Sequence, residues 1–123
     1  MLRMTLAAVV LAASLASAPA RAEDAPLYLF LYRPGPAWQV GKPMHQQALK
    51  PHTVYIQKLL DEGKLVAGGP TLDVDGGMAI VRAASAEEAR AMLAVDPAIT
   101  GGVFVAEVRT WRPVYASPRP LKP

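Results

Sequence analysis

The chain contains no cysteine. That excludes disulfides, thiolate chemistry and a lipid-modified cysteine anchor, so stability must come from packing or self-association. Charge of one sign is also scarce: 13 basic against 10 acidic residues give a formal net charge of +3. Arg3 and Arg21 lie in an N-terminal stretch read below as a removable leader, and without them the balance is close to neutral. The other basic residues are scattered, with no aromatic-interleaved stripe, so nucleic acid is not an expected partner. There is no G-x-S-x-G, no Walker sequence and no dinucleotide fingerprint. Asp73-x-Asp75-Gly76 is too short a match for a calcium loop and reads as a turn. No cofactor is expected, and a metal held by His45 and His52 would lack further well-placed ligands.

A membrane-length apolar run is missing as well. Leu6 to Leu15 is apolar except for Ser14, too short to span a bilayer comfortably. It follows the positive Arg3 and precedes Ala20-Arg21-Ala22, an A-x-A cleavage site. Residues 1–22 are therefore expected to be a secretory signal peptide, which predicts a periplasmic or secreted protein with no stable membrane anchor after cleavage. Residues 23–116 are expected to form one domain with one core. Residues 117–123 make a Pro-rich tail expected to be unfolded.

Pro26 to Arg33 reads as a strand, with Leu27, Leu29 and Leu31 on one face and Tyr28, Phe30 and Tyr32 on the other. Both faces are apolar, so both sides of its sheet should be covered. The segment from Pro34 to Lys50 is a long loop, of the kind that often forms a lid or binding loop. Pro51 suits the first turn of a helix predicted to run to Glu62 and stop at Gly63. Its inward stripe is His52, Tyr55/Ile56 and Leu59. Strands are expected over Lys64–Gly68, running into Gly69-Pro70, and over Met78–Arg82, joined by a turn at Asp73–Gly77. Ser85-Ala86-Glu87-Glu88 is a capping box opening a second helix, whose inward stripe is Ala89, Met92/Leu93 and Asp96. Pro97 hinders its continuation. Val103–Trp111 is the last strand.

The order β-α-β-β-α-β predicts an α+β, ferredoxin-like fold: a four-stranded antiparallel sheet with two helices on one face. In that topology the start of the first helix and the end of the second share one end of the domain. His52 occupies the first and Asp96 the second, on helices packed about 8–10 Å apart. An imidazole beside a carboxylate is a common apparatus for moving protons. Arg33, Pro34, the 34–50 loop, Pro70 and Gly101-Gly102 are expected to wall a pocket at that end. Arg33 or Lys50 would hold a substrate anion, with Tyr55 and Pro70 as further binding residues. Plainer readings stand beside these. His52 suits a partly buried histidine at a helix start, His45 a solvated loop residue, and Asp96 the N-cap of a short turn beginning at Pro97.

The same residues resemble the YciI-like (YCII-related) family. The similarity runs through His52, Leu59-Leu60-Asp61-Glu62-Gly63-Lys64-Leu65, Ala67-Gly68-Gly69-Pro70, Ser85-x-Glu87-Glu88-Ala89 and Asp96-Pro97-x-x-x-Gly101-Gly102-Val103-Phe104. It covers roughly residues 27–113. The resemblance implies a ferredoxin-like domain that forms a dimeric α+β barrel through its sheets, with His52 and Asp96 as an acid–base dyad. Members often carry Arg three residues before the histidine and many read Asp-Pro-Tyr, whereas this chain has Leu49 and Ala98. The expected activity is that of a cofactor-free lyase or isomerase on a small molecule. The alternative is a non-catalytic periplasmic binding or interaction module on the same barrel. A homodimer is expected on either reading.

Overall fold

A computed structural model of the chain describes residues 12–14 and 25–123. The expected leader, residues 1–22, lies outside these apart from 12–14, which carry no helix or strand. Strand β1 (Leu27–Pro34) leads through a long connection, holding a 3-10 turn at Met44–Gln46, into helix α1 (Lys50–Asp61). Then follow β2 (Leu65–Pro70), β3 (Gly77–Val81), α2 (Ala86–Ala94), the short α3 (Pro97–Thr100) and β4 (Phe104–Trp111). The sheet order is β2-β3-β1-β4 and every neighbouring pair is antiparallel. This is the expected ferredoxin-like arrangement. Among the described residues, no helix is long and apolar enough to cross a membrane.

Alternation along β1 decides what lies inside. Tyr28, Phe30 and Tyr32 are buried, while Leu27, Leu29 and Leu31 are only half-buried. The buried face belongs to one core with Val81 of β3, Leu65 of β2, Leu59 of α1, and Met92 and Leu93 of α2. Full burial of a side chain such as Phe30 or Val81 stabilises the fold by about 1.5–3 kcal/mol. On the opposite face, Leu29 pairs with Ile80 and Leu31 with Met78, so the half-buried leucines continue into an apolar stripe across the sheet.

Helix ends follow their local chemistry. Gly63 adopts φ +71 just past α1, and the amide of Lys64 donates to the carbonyl of Leu59, closing the last turn. At α2, Ser85 Oγ accepts from the amide of Glu88 at 3.1 Å. Glu88 Oε2 accepts from the amide of Ala84 at 3.0 Å, one residue beyond the Ser85 amide that a regular capping box would use. Helix α2 stops at Ala94 with Val95 as its cap, so Asp96 does not close α2. It opens α3 instead.

The 34–50 connection is pinned at both ends. The amides of Gly35 and Ala37 donate to the carbonyls of Val103 and Gly102 at 2.9 and 2.8 Å. The approach at Gly35 leaves no room for a Cβ, which would collide with the Gly102 carbonyl oxygen. Trp38 is buried and stacks on Phe104, with ring centroids 5.6 Å apart. Buried Gln47 clamps the far side, donating to the carbonyls of Gln39 and Lys42 and accepting from the Gln39 amide, each at 2.9 Å. The tail after Trp111 contains no helix or strand.

Candidate active site

Asp96 is fully buried, and every hydrogen bond reaching its side chain is donated to it. The Ala98 amide donates to Oδ1 at 2.9 Å, which makes Asp96 the N-cap of α3, with Pro97 in the first turn. Tyr32 Oη donates to Oδ2 at 3.0 Å. His52 Nδ1 lies 2.8 Å from Oδ1 and 3.0 Å from Oδ2. A carboxylate only accepts, so Nδ1 carries a proton, and in the neutral form of the ring Nε2 is the free acceptor. The expected His52–Asp96 contact is therefore direct. The N-cap reading of Asp96 holds at the same time.

Three elements build the pair. β1 supplies Tyr32 from its helix-facing side, the first turns of α1 supply His52, and the start of α3 supplies Asp96. The imidazole stands edge-on to two rings, Tyr32 at 5.5 Å and Phe104 at 5.9 Å between centroids. Trp38 backs Phe104 from behind. These contacts fix the ring plane as the carboxylate fixes the tautomer. Burial, the nearby Asp96 charge and the hydrogen bond to it all push the Tyr32 phenol far above its usual range. Tyr32 thus stays a donor to Asp96 at any pH the fold survives. Burial followed by the Asp96 charge raises the Tyr55 phenol as well.

A cavity of about 560 Å³ opens beside His52, within the range that small-molecule sites occupy. It exists because the sheet is bare there. Gly68 and Pro70 of β2 face Ala79 and Gly77 of β3, so little side chain rises toward α1. Leu49, Thr53 and Ile56 form the helix wall, and Met44, His45 and Gln47 form the roof. Of the described residues, Lys50, His45 and His52 line the cavity and no Asp or Glu does. Among the described residues, no cluster of three His, Cys, Asp or Glu side chains is placed to hold a metal.

The sequence-predicted binding residues divide evenly. Lys50 and Pro70 line the cavity. Arg33 does not: strand alternation turns it to the opposite sheet face from Tyr32, where it is exposed opposite Val105. Tyr55 is also away from the cavity, since its hydroxyl donates to the Met92 carbonyl at 2.8 Å and ties α1 to α2. Ile56, one residue on, takes the cavity-facing position. Neither Gly101 nor Gly102 lines the cavity: Gly102 anchors the long connection through the Ala37 amide, and Gly101 caps α3 by donating to the Pro97 carbonyl. Sequence reading overlooked Tyr32, Phe104, Trp38 and Gln47. Tyr32 left a usable signal, because a tyrosine buried on a sheet face needs a partner for its hydroxyl.

A small antiparallel α+β domain with a buried carboxylate orienting a histidine toward a cavity defines the class. Residues 27–112 match the YCII-related domain, and the chain belongs to that family. Among solved structures it is similar to the 5-chloro-2-hydroxyhydroquinone dehydrochlorinase (TftG) of Burkholderia phenoliruptrix AC1100, in complex with 2,5-dihydroxybenzoquinone. The two are 27% identical with a TM-score of 0.52, over 70% of this chain and 93% of that one. No curated protein matches this chain.

Proposed function

We propose that this protein is a cofactor-free lyase or isomerase in which His52 is the general base. The observation that carries the reading is the 2.8 Å contact from His52 Nδ1 to a fully buried Asp96, made at the wall of a cavity. His52 Nε2 would take a proton from an acidic O–H or C–H of the substrate. Asp96 would hold the tautomer and stabilise the imidazolium that forms, while Tyr32 and the Ala98 amide hold Asp96. The similar dehydrochlorinase acts on a hydroxylated ring and is bound to a hydroxyquinone. A small, acidic, oxygenated ring is the substrate class that this likeness supports. Lys50 at the cavity wall suits its anionic oxygen. In His52→Ala, halide release from 5-chloro-2-hydroxyhydroquinone should fall to background while cooperative unfolding persists; turnover at the wild-type rate would refute the assignment.

A second reading, a non-catalytic small-molecule binding module, is favoured by Leu49. It is buried and apolar at the cavity wall. Binding of 2,5-dihydroxybenzoquinone by the wild type without any turnover would select it. On either reading we propose a homodimer formed through the outer sheet face, where Leu29, Leu31, Met78 and Ile80 are the apolar centre. We also propose export, with cleavage after Ala22. N-terminal sequencing of the mature protein should begin at Glu23, and a retained Leu2 or Met1 would exclude it.

A further inference from the structure

We propose that His45 is a second catalytic imidazole, acting as the general acid in the cavity it shares with His52. The inference rests on the lyase reading above. The chain has two histidines, and both line this one cavity although they belong to different elements. His45 rides on the 3-10 turn Met44–Gln46, whose next residue, Gln47, is the buried clamp of the whole connection. A fixed turn, rather than a free loop, therefore presents His45. Among the described residues, no carboxylate lines the cavity. His52 has one nitrogen free, because Nδ1 is committed to Asp96.

The chemistry involves two proton transfers, one from oxygen and one to carbon, which two groups can make together. A leaving group X on an aromatic ring carbon departs only after that carbon becomes tetrahedral. Consider a ring with two para hydroxyls and X beside one of them. The hydroxyl next to X gives its proton to His52 Nε2, and its oxygen becomes a ketone. The displaced ring electron pair takes a proton from His45 at the carbon bearing X. The para hydroxyl then gives its proton to the now neutral His45, and its oxygen becomes the second carbonyl. The ring pair shifts, the C–X bond breaks, and X⁻ leaves with the bonding electrons. His52 releases its proton to solvent. The products are a quinone, X⁻ and H⁺. The two electrons lost by the ring reduce the C–X carbon to C–H, so no external oxidant is needed. One free nitrogen on His52 cannot remove the oxygen proton and deliver the carbon proton in the same step, and His45 supplies the missing donor.

The test uses the full chain and its His45→Gln, His45→Ala and His52→Gln variants, with halide release from 5-chloro-2-hydroxyhydroquinone and binding of 2,5-dihydroxybenzoquinone as readouts. His45 is exposed, so these substitutions leave the fold intact, checked by an unchanged Tm. His45→Gln should lower kcat about 100-fold with Kd for the quinone unchanged. Added imidazole should restore part of the rate in His45→Ala, which a structural role would not show. Wild-type kcat in His45→Gln overturns the inference while loss of turnover in His52→Gln leaves the lyase reading standing. A loss confined to Kd overturns it too, making His45 a binding residue. A wild type that neither releases halide nor binds the quinone sinks the lyase reading and the inference together.

Discussion

Replacing Asp96 by Asn separates what the carboxylate does for the fold from what it does for His52. Asn keeps one acceptor oxygen, which can stay on the Ala98 amide at the 2.9 Å position, and Asn caps helices as well as Asp. Its amide nitrogen then takes the place of Oδ2, facing Tyr32 Oη, while His52 Nδ1 keeps its 2.8 Å contact to the retained oxygen. Tyr32 adapts by rotating its hydroxyl to accept. His52 keeps its proton on Nδ1 and donates it to the retained, now uncharged, oxygen. Two charge-assisted bonds, each contributing about 1.5–3 kcal/mol, become neutral ones of about 0.5–1.5 kcal/mol. The net cost is about 2–3 kcal/mol, within the roughly 5–15 kcal/mol that small domains hold. At about 4–8 °C per kcal/mol, Tm should fall by roughly 10–20 °C with cooperative unfolding retained. The lost charge also reaches the chemistry, because the imidazolium formed when Nε2 takes a proton no longer faces a carboxylate. Losing about 1–1.5 kcal/mol from that bond should lower turnover about tenfold. Imidazole ¹⁵N shifts, assigned with His45→Gln, report the tautomer without any substrate. An Asp96→Asn protein whose His52 carries its proton on Nε2, or one that unfolds at the wild-type Tm, would refute the reasoning.

Tyr32→Phe tests the raised phenol. A phenol whose folded pKa lies above its unfolded value near 10 contributes stability that is intact below about pH 10 and lost as pH rises toward the folded value, at about 1.4 kcal/mol per pH unit. Denaturant midpoints measured from pH 9 to 12 should therefore fall less steeply in Tyr32→Phe; parallel slopes would contradict it. Ile80→Lys places a charge at the centre of the apolar outer face and should convert the proposed dimer to a monomer by light scattering. An unchanged mass would move the interface elsewhere. At Gly68 a Cβ would sit in ordinary contact, 3.4 Å from the Met78 carbonyl oxygen and 3.5 Å from Ala79 Cβ. Gly68→Ala should thus fold normally, yet raise Kd for 2,5-dihydroxybenzoquinone about tenfold by filling the cavity floor, and unaltered affinity would place the ligand elsewhere.

What the sequence discloses here depends on whether a feature is made of residues or of their absence. Alternation from Leu27 to Tyr32 marks two apolar faces, and the spacing of His52, Ile56 and Leu59 marks a buried stripe. Order of elements then brings His52 and Asp96 together although they are far apart in the chain, because an antiparallel sheet with two crossovers has few ways to close. Periodicity ran one residue too far at Asp96, since a helical stripe carries no mark where Val95 caps it and a new N-cap begins. Both readings of Asp96 are satisfied by the same carboxylate: the short α3 aims its first free amide at one oxygen, and that fixed oxygen orients His52. The cavity, in contrast, is made by side chains that are missing at Gly68 and Gly77, and hydrophobic patterning is silent about empty space. Its roof depends on Gln47 reaching back to Gln39 and Lys42, a closure set by loop geometry with no period to read. The dyad follows from local rules combined with topology. The volume beside it, and the place of His45 in that volume, require the folded chain.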